Sequence, residues 1–168
     1  MAQLVNDMLY LAKADHGLLM PKRETLVLAD EVDALLEFFT LLAEDGQISL
    51  VREGTARTTG DRGMWRRALS NLLDNALRFT PPGGEVRVRI EDGVRLSVEN
   101  TGDGIPAELL PRLFDRFYRA DPARHEGSSE HAGLGLAITQ SIVRAHGGRI
   151  YCESGAGWTR FVIQLPTE

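Results

Sequence analysis

Residues 70–84, SNLLDNALRFTPPGG, combine a helical pattern with an abrupt stop. Apolar residues recur there at the spacing of a buried helical stripe: Leu69, Leu72, Leu73, Ala76 and Leu77. The Pro-Pro-Gly-Gly run that follows predicts the end of the helix. Asn71, Asn75 and Arg78 share the opposite side of this helix. Since Asn is a mediocre helix former, this side is either a binding surface or a solvated face that would more cheaply carry Glu or Lys.

The composition is that of one soluble globular domain. The chain has 168 residues, 43% of them hydrophobic, and a formal net charge of -5. This acidic balance argues against nucleic acid as a main partner. The apolar runs are too short to span a bilayer, and the first ten residues predict no signal peptide. Cys152 stands alone, which excludes a disulfide within the chain and fits a reducing cytoplasm.

The N-terminal part of the chain predicts an amphipathic helix, a linker and a longer helix. Residues 1–15 form the first helix, which is either docked on its own domain or the tail of a longer helix that pairs with another chain. A linker over 18–25 follows. Asp30 is the expected N-cap of the longer helix, and Gly46 its stop.

The remaining pattern alternates strands and helices irregularly. Asp61 is expected to open the helix that contains the first quoted stretch, and residues 85–100 to form a hairpin. After a short helix, residues 120–132 predict a long mobile loop. A helix and two closing strands complete the chain. Without regular βαβ alternation, the predicted class is α+β, with a mostly antiparallel sheet covered by helices on one face.

Two glycine-rich stretches are candidate ligand sites. NTGDGIP (100–106) follows a strand, and HAGLGLAI (131–138) opens a helix. Closely spaced glycines let backbone amides approach a ligand, although each stretch alone is equally typical of a tight turn or a helix entry. Asn100 alternates with the core-facing residues of its strand, so it needs a polar partner such as an adenine edge.

Four stretches in a fixed order resemble the boxes of the catalytic ATP-binding domain of sensor histidine kinases. NLLDNALRFT is similar to the N box, VENTGDGIP to the G1 box, LFDRFYR to the F box and HAGLGLAI to the G2 box. The resemblance covers roughly residues 25–166. Within that family the amino-acid sequence is most similar to the heavy-metal sensor kinases, copper sensors among them. The resemblance implies a Bergerat (GHKL ATPase) fold, a two-layer α/β sandwich.

The resemblance also implies the ligands, ATP and Mg²⁺, and the residues that bind them. Asn75 would coordinate Mg²⁺, with Asn71 supporting the metal or the triphosphate. Arg78 would contact phosphate and act in catalysis together with Asn75. Arg119 or Arg116 would reach the γ-phosphate when the acceptor helix docks, with the loop 120–132 acting as a lid. The remaining nucleotide-binding residues would be Phe79, Asn100, Gly102, Gly104, Ile105, Gly133, Leu134, Gly135, Leu136 and Thr159.

Position 71 separates the chain from the hydrolytic relatives, and two further features depart from the family's usual boxes. Asn71 stands where the hydrolytic relatives of the gyrase, Hsp90 and MutL types have a Glu that activates water. Because Asn is no general base, we expect phosphoryl transfer to a protein group with slow hydrolysis. Asn100 stands where the family usually has an Asp that accepts a hydrogen bond from the adenine amino group. Its oxygen can still accept that bond, and its NH₂ group can donate to a ring nitrogen. His131 and Ala132 replace the small lead-in of the G2 box.

The His-Glu-Leu-Arg-Thr-Pro-like acceptor motif of these kinases is missing from the sequence. Residues 1–17 resemble the remnant of the second dimerisation helix, 18–25 the linker and 26–168 the catalytic domain. The implied partners are the dimerisation and phosphoacceptor domain of the same kinase and a response regulator. The parent protein would be a membrane-bound homodimer with this domain in the cytoplasm. The alternative is a non-catalytic binding module of the same fold, like the anti-sigma factors.

Overall fold

A computed structural model describes residues 2–91, 94–118 and 133–166. The helices are α1 (Ala2–Asp15), α2 (Leu28–Asp45), α3 (Arg62–Phe79), a 3-10 helix (Ala107–Arg112) and α4 (Gly135–Ala145). The strands are β1 (Glu24–Val27), β2 (Ser49–Glu53), β3 (Arg57–Gly60), β4 (Glu85–Glu91), β5 (Arg95–Thr101), β6 (Arg149–Gly155) and β7 (Trp158–Gln164).

The sheet is mixed and mostly antiparallel, as predicted. Five strands lie in the order β2-β4-β5-β7-β6, and only β2 and β4 run parallel. The strands β1 and β3 form a separate antiparallel pair. Alternate residues of β4 and β5, such as Val86, Val88 and Val98, are buried on the face that α3 contacts. The other face carries ion pairs such as Arg160 with Glu99. The predicted α+β class is confirmed.

Helix α3 positions the stretch that decides the fold. Leu69, Leu72 and Leu73 are at most 1% exposed, which confirms the buried stripe. The helix packs against α2, α4 and the sheet, so its polar side has a fixed place beside the start of α4. Leu77, at the edge of the stripe, is only half-buried.

The two predicted helix caps had different outcomes. Asp61 is the N-cap of α3, and its side chain accepts a hydrogen bond from the Met64 amide at 3.1 Å. Asp30 is not a cap: the N-cap of α2 is Val27, without a side-chain bond. Strand β1 runs directly into α2, and the amide of Leu28 donates to Ala56 at 2.9 Å. Burial of Leu28 therefore sets the start of α2 two residues before Asp30.

Replacing Asp61 by Ala is expected to lower the free energy of unfolding by about 1–2 kcal/mol, because two backbone amides lose their acceptor. The second amide is that of Lys22, at 2.9 Å. Burial alone would raise the pKa of Asp61, but hydrogen bonds from backbone amides, those of Lys22 and Met64 foremost, lower it. A lowered folded pKa means that this stabilisation is present near neutrality and is lost as the pH falls below about 4.

Denaturant unfolding of Asp61→Ala at pH 7 and pH 3 measures this contribution, with Asp30→Ala as the matched control. Asp30 is an exposed aspartate in a first helical turn with no hydrogen bond to any described residue, so its loss should cost less than about 0.5 kcal/mol. Equal losses in the two variants at pH 7 would contradict the capping role of Asp61.

Helix α1 packs on the rest of the chain. Leu11 is 2% exposed, and Asp7 forms an ion pair with Arg67 of α3 at 2.7 Å. The Arg67 guanidinium also lies 4.3 Å from the centre of the Tyr10 ring. The other side of α1 exposes Val5, Met8 and Leu9. Docking on the domain and pairing with another chain are therefore both compatible with α1, and the division at 17 and 25 stays a prediction.

No helix in the described part of the chain has the length and apolar character that crossing a membrane requires.

Candidate nucleotide site

The predicted site residues of α3 and α4 meet at the start of α4. The side-chain nitrogen of Asn71 donates to the backbone oxygen of Gly135 at 3.1 Å and lies 3.4 Å from the Thr139 hydroxyl. That hydroxyl donates to the same Gly135 oxygen at 2.9 Å. Since the Asn71 nitrogen is used to hold α4, the carboxamide oxygen is the atom of Asn71 that remains for a ligand.

Asn75 lies one turn further along the same side of α3. It is half-buried, and its carboxamide forms no hydrogen bond with any residue that the structure describes. Arg78, one turn on, pairs with Asp74 at 3.4 Å, and its guanidinium lies 5.7 Å from the centre of the Phe79 ring. A phosphate contact by Arg78 would therefore compete with its ion pair to Asp74.

These side chains fit Mg²⁺, which prefers oxygen ligands and keeps several waters beside substrate phosphates. The unpaired carboxamide of Asn75 offers such an oxygen, with that of Asn71 nearby on the same helix side. Among residues 2–91, 94–118 and 133–166, no cluster of three His, Cys, Asp or Glu could hold a metal. A cation here would depend on carboxamide, phosphate and water oxygens.

Asn100 ends the buried side of β5, where the sequence predicted a polar group at the edge of the core. It is 5% exposed, and its side-chain nitrogen donates to the backbone oxygen of Thr101 at 3.0 Å. This bond fixes the orientation of the carboxamide, because a carbonyl oxygen accepts and only the nitrogen can donate. The Asn100 oxygen is then an acceptor, as the usual Asp would be for an adenine amino group.

Thr159 lies directly opposite Asn100 on the neighbouring strand β7 and is 5% exposed. Its hydroxyl is 3.1 Å from the Ser154 hydroxyl. Ser154 also accepts from the Ile105 amide at 2.7 Å and donates to the backbone oxygen of Trp158 at 3.0 Å. Ser154 therefore ties the G1 turn to the β6–β7 hairpin. Sequence reasoning missed it because nothing in a lone Ser on a strand predicts which residue faces it.

Glycine is required at two positions of the G1 turn. A Cβ atom at Gly102, whose φ is +144°, would lie 2.8 Å from the backbone oxygen of Phe79 at the end of α3. At Gly104 it would lie 2.3 Å from the backbone oxygen of Gly155. These close backbone approaches bring the end of the N box, the G1 turn and the β6–β7 hairpin together.

The G2 box begins with another tight contact. Gly133, with φ +89°, accepts a hydrogen bond from the Phe117 amide at 3.0 Å, and a Cβ atom there would lie 2.6 Å from the Phe117 backbone. Leu134 is 2% exposed and Leu136 half-buried, so both pack on the core rather than face open space. Gly135 then begins α4 beside Asn71.

Of the two arginines considered for the γ-phosphate, Arg116 pairs with Asp15 of α1 at 2.5 Å. The hydrogen bond to Asp15 raises the pKa of Arg116. The guanidinium therefore points toward α1 in this structure. Arg119, His131, Ala132 and the predicted lid 120–132 lie outside the described residues.

The chain belongs to the family of histidine kinase-, DNA gyrase B- and HSP90-like ATPases, which residues 60–168 match. The predicted Bergerat-type ATPase fold is thereby confirmed. Within the family it has the sequence and fold of the catalytic ATPase domain of sensor histidine kinases. It is 52% identical to the sensor histidine kinase CusS of Escherichia coli O157:H7 over 170 residues, which cover 99% of this chain and 35% of CusS.

A second relative is also a sensor kinase. The probable sensor kinase SilS of Salmonella typhimurium is 43% identical over 99% of this chain and 35% of its own length. The chain thus spans about a third of the length of these two curated relatives. The predicted similarity to heavy-metal sensor kinases is confirmed by these relatives, and the anti-sigma-like alternative is not favoured.

Solved structures agree. The catalytic domain of the histidine kinase ThkA, in a nucleotide-free form, superposes with a TM-score of 0.75 at 27% identity and covers 86% of this chain and 95% of that one. Full-length ShkA in complex with AMPPNP gives a TM-score of 0.83 at 26% identity, over 97% of this chain and 35% of ShkA.

Proposed function

We propose that this chain binds Mg-ATP and transfers the γ-phosphate to a histidine on a dimerisation domain of the same kinase. The observation that carries the proposal is the carboxamide side of α3, Asn71 and Asn75, held against the start of α4 by the bond from Asn71 to Gly135. The start of a helix favours phosphate, because its first amides have no partner within the helix. That ShkA was solved with the ATP analogue AMPPNP supports a nucleotide at the corresponding place.

The residues of the chain would divide the nucleotide between two regions. Asn100 and Thr159 would hold the adenine at the end of β5, with the G1 turn fixed over it by Ser154. Asn75 and Asn71 would present oxygens to Mg²⁺, which supplies positive charge against the triphosphate when bound. Arg78 would leave Asp74 to contact phosphate. Catalysis would consist of positioning and charge neutralisation.

Position 71 bears on the fate of the γ-phosphate. The Asn71 nitrogen is bonded to Gly135, and a carboxamide cannot take a proton from water, so no general base is present at this position. Slow hydrolysis follows, and the phosphate is kept for a protein acceptor.

The acceptor would come from outside this chain. Of the described histidines, His146 has both ring nitrogens hydrogen-bonded to backbone groups, and His16 follows the end of α1. ThkA was solved in complex with the response regulator TrrA, which supports a response regulator as the downstream partner here. We extend the proposal to a membrane-bound, dimeric parent that senses a heavy metal, with this domain in the cytoplasm.

The test is phosphotransfer in a mixture of this chain, γ-labelled Mg-ATP and the separately prepared dimerisation domain of the parent kinase. Acid-labile label is expected on the dimerisation domain and none on this chain. The control is the same mixture with the acceptor histidine of that domain replaced by Gln. Acid-labile label on this chain alone, or fast steady-state ATP hydrolysis by it, would overturn the proposal.

A further inference from the structure

A cavity of about 670 Å³ lies at the ends of α3 and α4 that are remote from Asn75. It is bounded by the β1–β3 pair, the segment before β1 and the last residues of α4. Because α3 begins next to it and ends at the nucleotide site, while α4 does the reverse, the two sites are separated by the length of these helices. The volume is within the range of small-molecule sites, about 300–1,000 Å³.

The described residues that line this cavity carry charge of one sign. Lys22, Arg23, Arg57 and Arg144 are among them, and no Asp or Glu of residues 2–91, 94–118 and 133–166 is. None of the four forms an ion pair with a residue that the structure describes, whereas ten of the other twelve described arginines do. Four unpaired cations around one concavity repel one another and create a positive potential there, in a chain whose formal net charge is -5.

The nearest carboxylates along the chain are used elsewhere. Glu24 pairs with Arg62 at 3.2 Å. Both oxygens of Asp61 accept backbone amides, those of Lys22 and Met64. Neither carboxylate is therefore directed at the four cations of the cavity.

Hydroxyl groups stand beside the cations. Thr25 and Thr59 are directly opposite each other in the β1–β3 register, and both are exposed and line the cavity. Arg57 is two residues before Thr59, so it shares that face of the strand. Hydroxyl donors next to a guanidinium are a combination that suits phosphate oxygens.

His146 makes the inner wall and adds no charge. Its Nδ1–H donates to the backbone oxygen of Ile142 at 2.8 Å, while Nε2 accepts the Asp61 amide at 3.1 Å. This pair of bonds needs the neutral ring, in agreement with burial, which lowers the pKa of His146. The ring also contacts the Trp65 ring of α3 at a tilt of 44°, with 4.5 Å between the ring centres, so the wall is fixed to two helices.

From these observations we propose that the cavity between β1, β3 and the end of α4 is a binding site for a small phosphate-bearing anion, separate from the nucleotide site. The arginines and Lys22 would supply the charge, and Thr25 and Thr59 the neutral donors. The acidic chain as a whole makes unspecific anion binding weak, so the site depends on this local arrangement.

The experiment is an amide NMR titration with pyrophosphate at low salt and without Mg²⁺, in an Asn75→Ala background that removes the Mg²⁺-dependent part of binding at the nucleotide site; the amides that shift tell the two sites apart. Saturable shifts are expected at Thr58, Thr59 and Gly60. The double variant Arg57→Gln/Arg144→Gln, whose residues are both exposed, should bind at least about tenfold more weakly. The control Arg89→Gln/Arg112→Gln removes the same charge elsewhere and should bind as the background does.

Inorganic phosphate in the same titration is expected to shift the same amides with weaker affinity, since it carries less charge. Absence of saturable shifts at these amides would overturn the proposal. Equal weakening by the two double variants would also overturn it, because binding would then reflect net charge alone. Neither result bears on Mg-ATP binding, which this background does not measure.

Discussion

Replacing Asn75 by Ala is expected to weaken AMPPNP binding in the presence of Mg²⁺ by roughly 100-fold, and to leave the weak binding without Mg²⁺ nearly unchanged. The reason is that the half-buried Asn75 carboxamide, which has no partner among the described residues, is the one best placed to bind a metal. Its loss removes an oxygen ligand without disturbing a hydrogen bond of the domain. Isothermal titration with and without Mg²⁺ measures both affinities.

Ser70→Ala is the matched control for this change. Ser70 is half-buried on the same helix, outside the side that Asn71 and Asn75 share, and forms no hydrogen bond with a described residue. Its variant should bind AMPPNP as the unchanged chain does, and both variants should keep their unfolding free energies within about 0.5 kcal/mol. If the unchanged chain bound the analogue equally with and without Mg²⁺, the assignment of Asn75 would be wrong.

The sequence predicted the elements of this fold well where one periodicity decides. The stripe on α3 and the buried side of β5 follow from side-chain spacing, which depends only on the local backbone. Asp61 was found because a capping aspartate precedes the pattern directly. The prediction of Asp30 as the N-cap of α2 was wrong, because the burial of Leu28 and the pairing of β1 with β3 determine where α2 begins.

The parts of the site that the sequence could not provide are contacts between elements distant in the chain. The bond from Asn71 to Gly135 spans 64 residues, and that from Ile105 to Ser154 spans 49. Both depend on how helices and strands are packed and registered, which no local pattern encodes. They change the interpretation of residues that were already singled out: Asn71 holds α4, and the Asn100 bond to Thr101 selects its oxygen as the acceptor.

The same limit applies to charge. The sheet surface carries many ion pairs between Arg and Glu, and which charges pair depends on the strand register. That Arg23, Arg57 and Arg144 meet around one cavity, with no carboxylate among its described lining residues, could not be foreseen, since they come from three separate parts of the chain. The packing of β1, β3 and α4 creates that concentration of charge.

Replacing Gly104 by Ala is expected to weaken AMPPNP binding by roughly 30-fold, the equivalent of about 2 kcal/mol of overpacking. The new Cβ would lie 2.3 Å from the backbone oxygen of Gly155 and 3.0 Å from the Ser154 hydroxyl, so the G1 turn must move away from the β6–β7 hairpin. That shift breaks the 2.7 Å bond from Ile105 to Ser154 and leaves the adenine side of the site without its support. Titration with AMPPNP measures the loss.

Gly63→Ala provides the control for Gly104→Ala, because a Cβ there meets only the Asp61 carboxylate at an ordinary 3.5 Å, and Gly63 lies in the first turn of α3. This variant should bind the analogue unchanged and be as stable or slightly more so, since Ala suits a helix better than Gly. The Gly104 variant should also lose amide protection at Ile105 in hydrogen exchange while Val98, in the core of β5, keeps it. Normal analogue affinity together with an unprotected Ile105 amide would show that the G1 turn can detach from Ser154 without affecting the nucleotide, and would remove Ser154 from the proposed site.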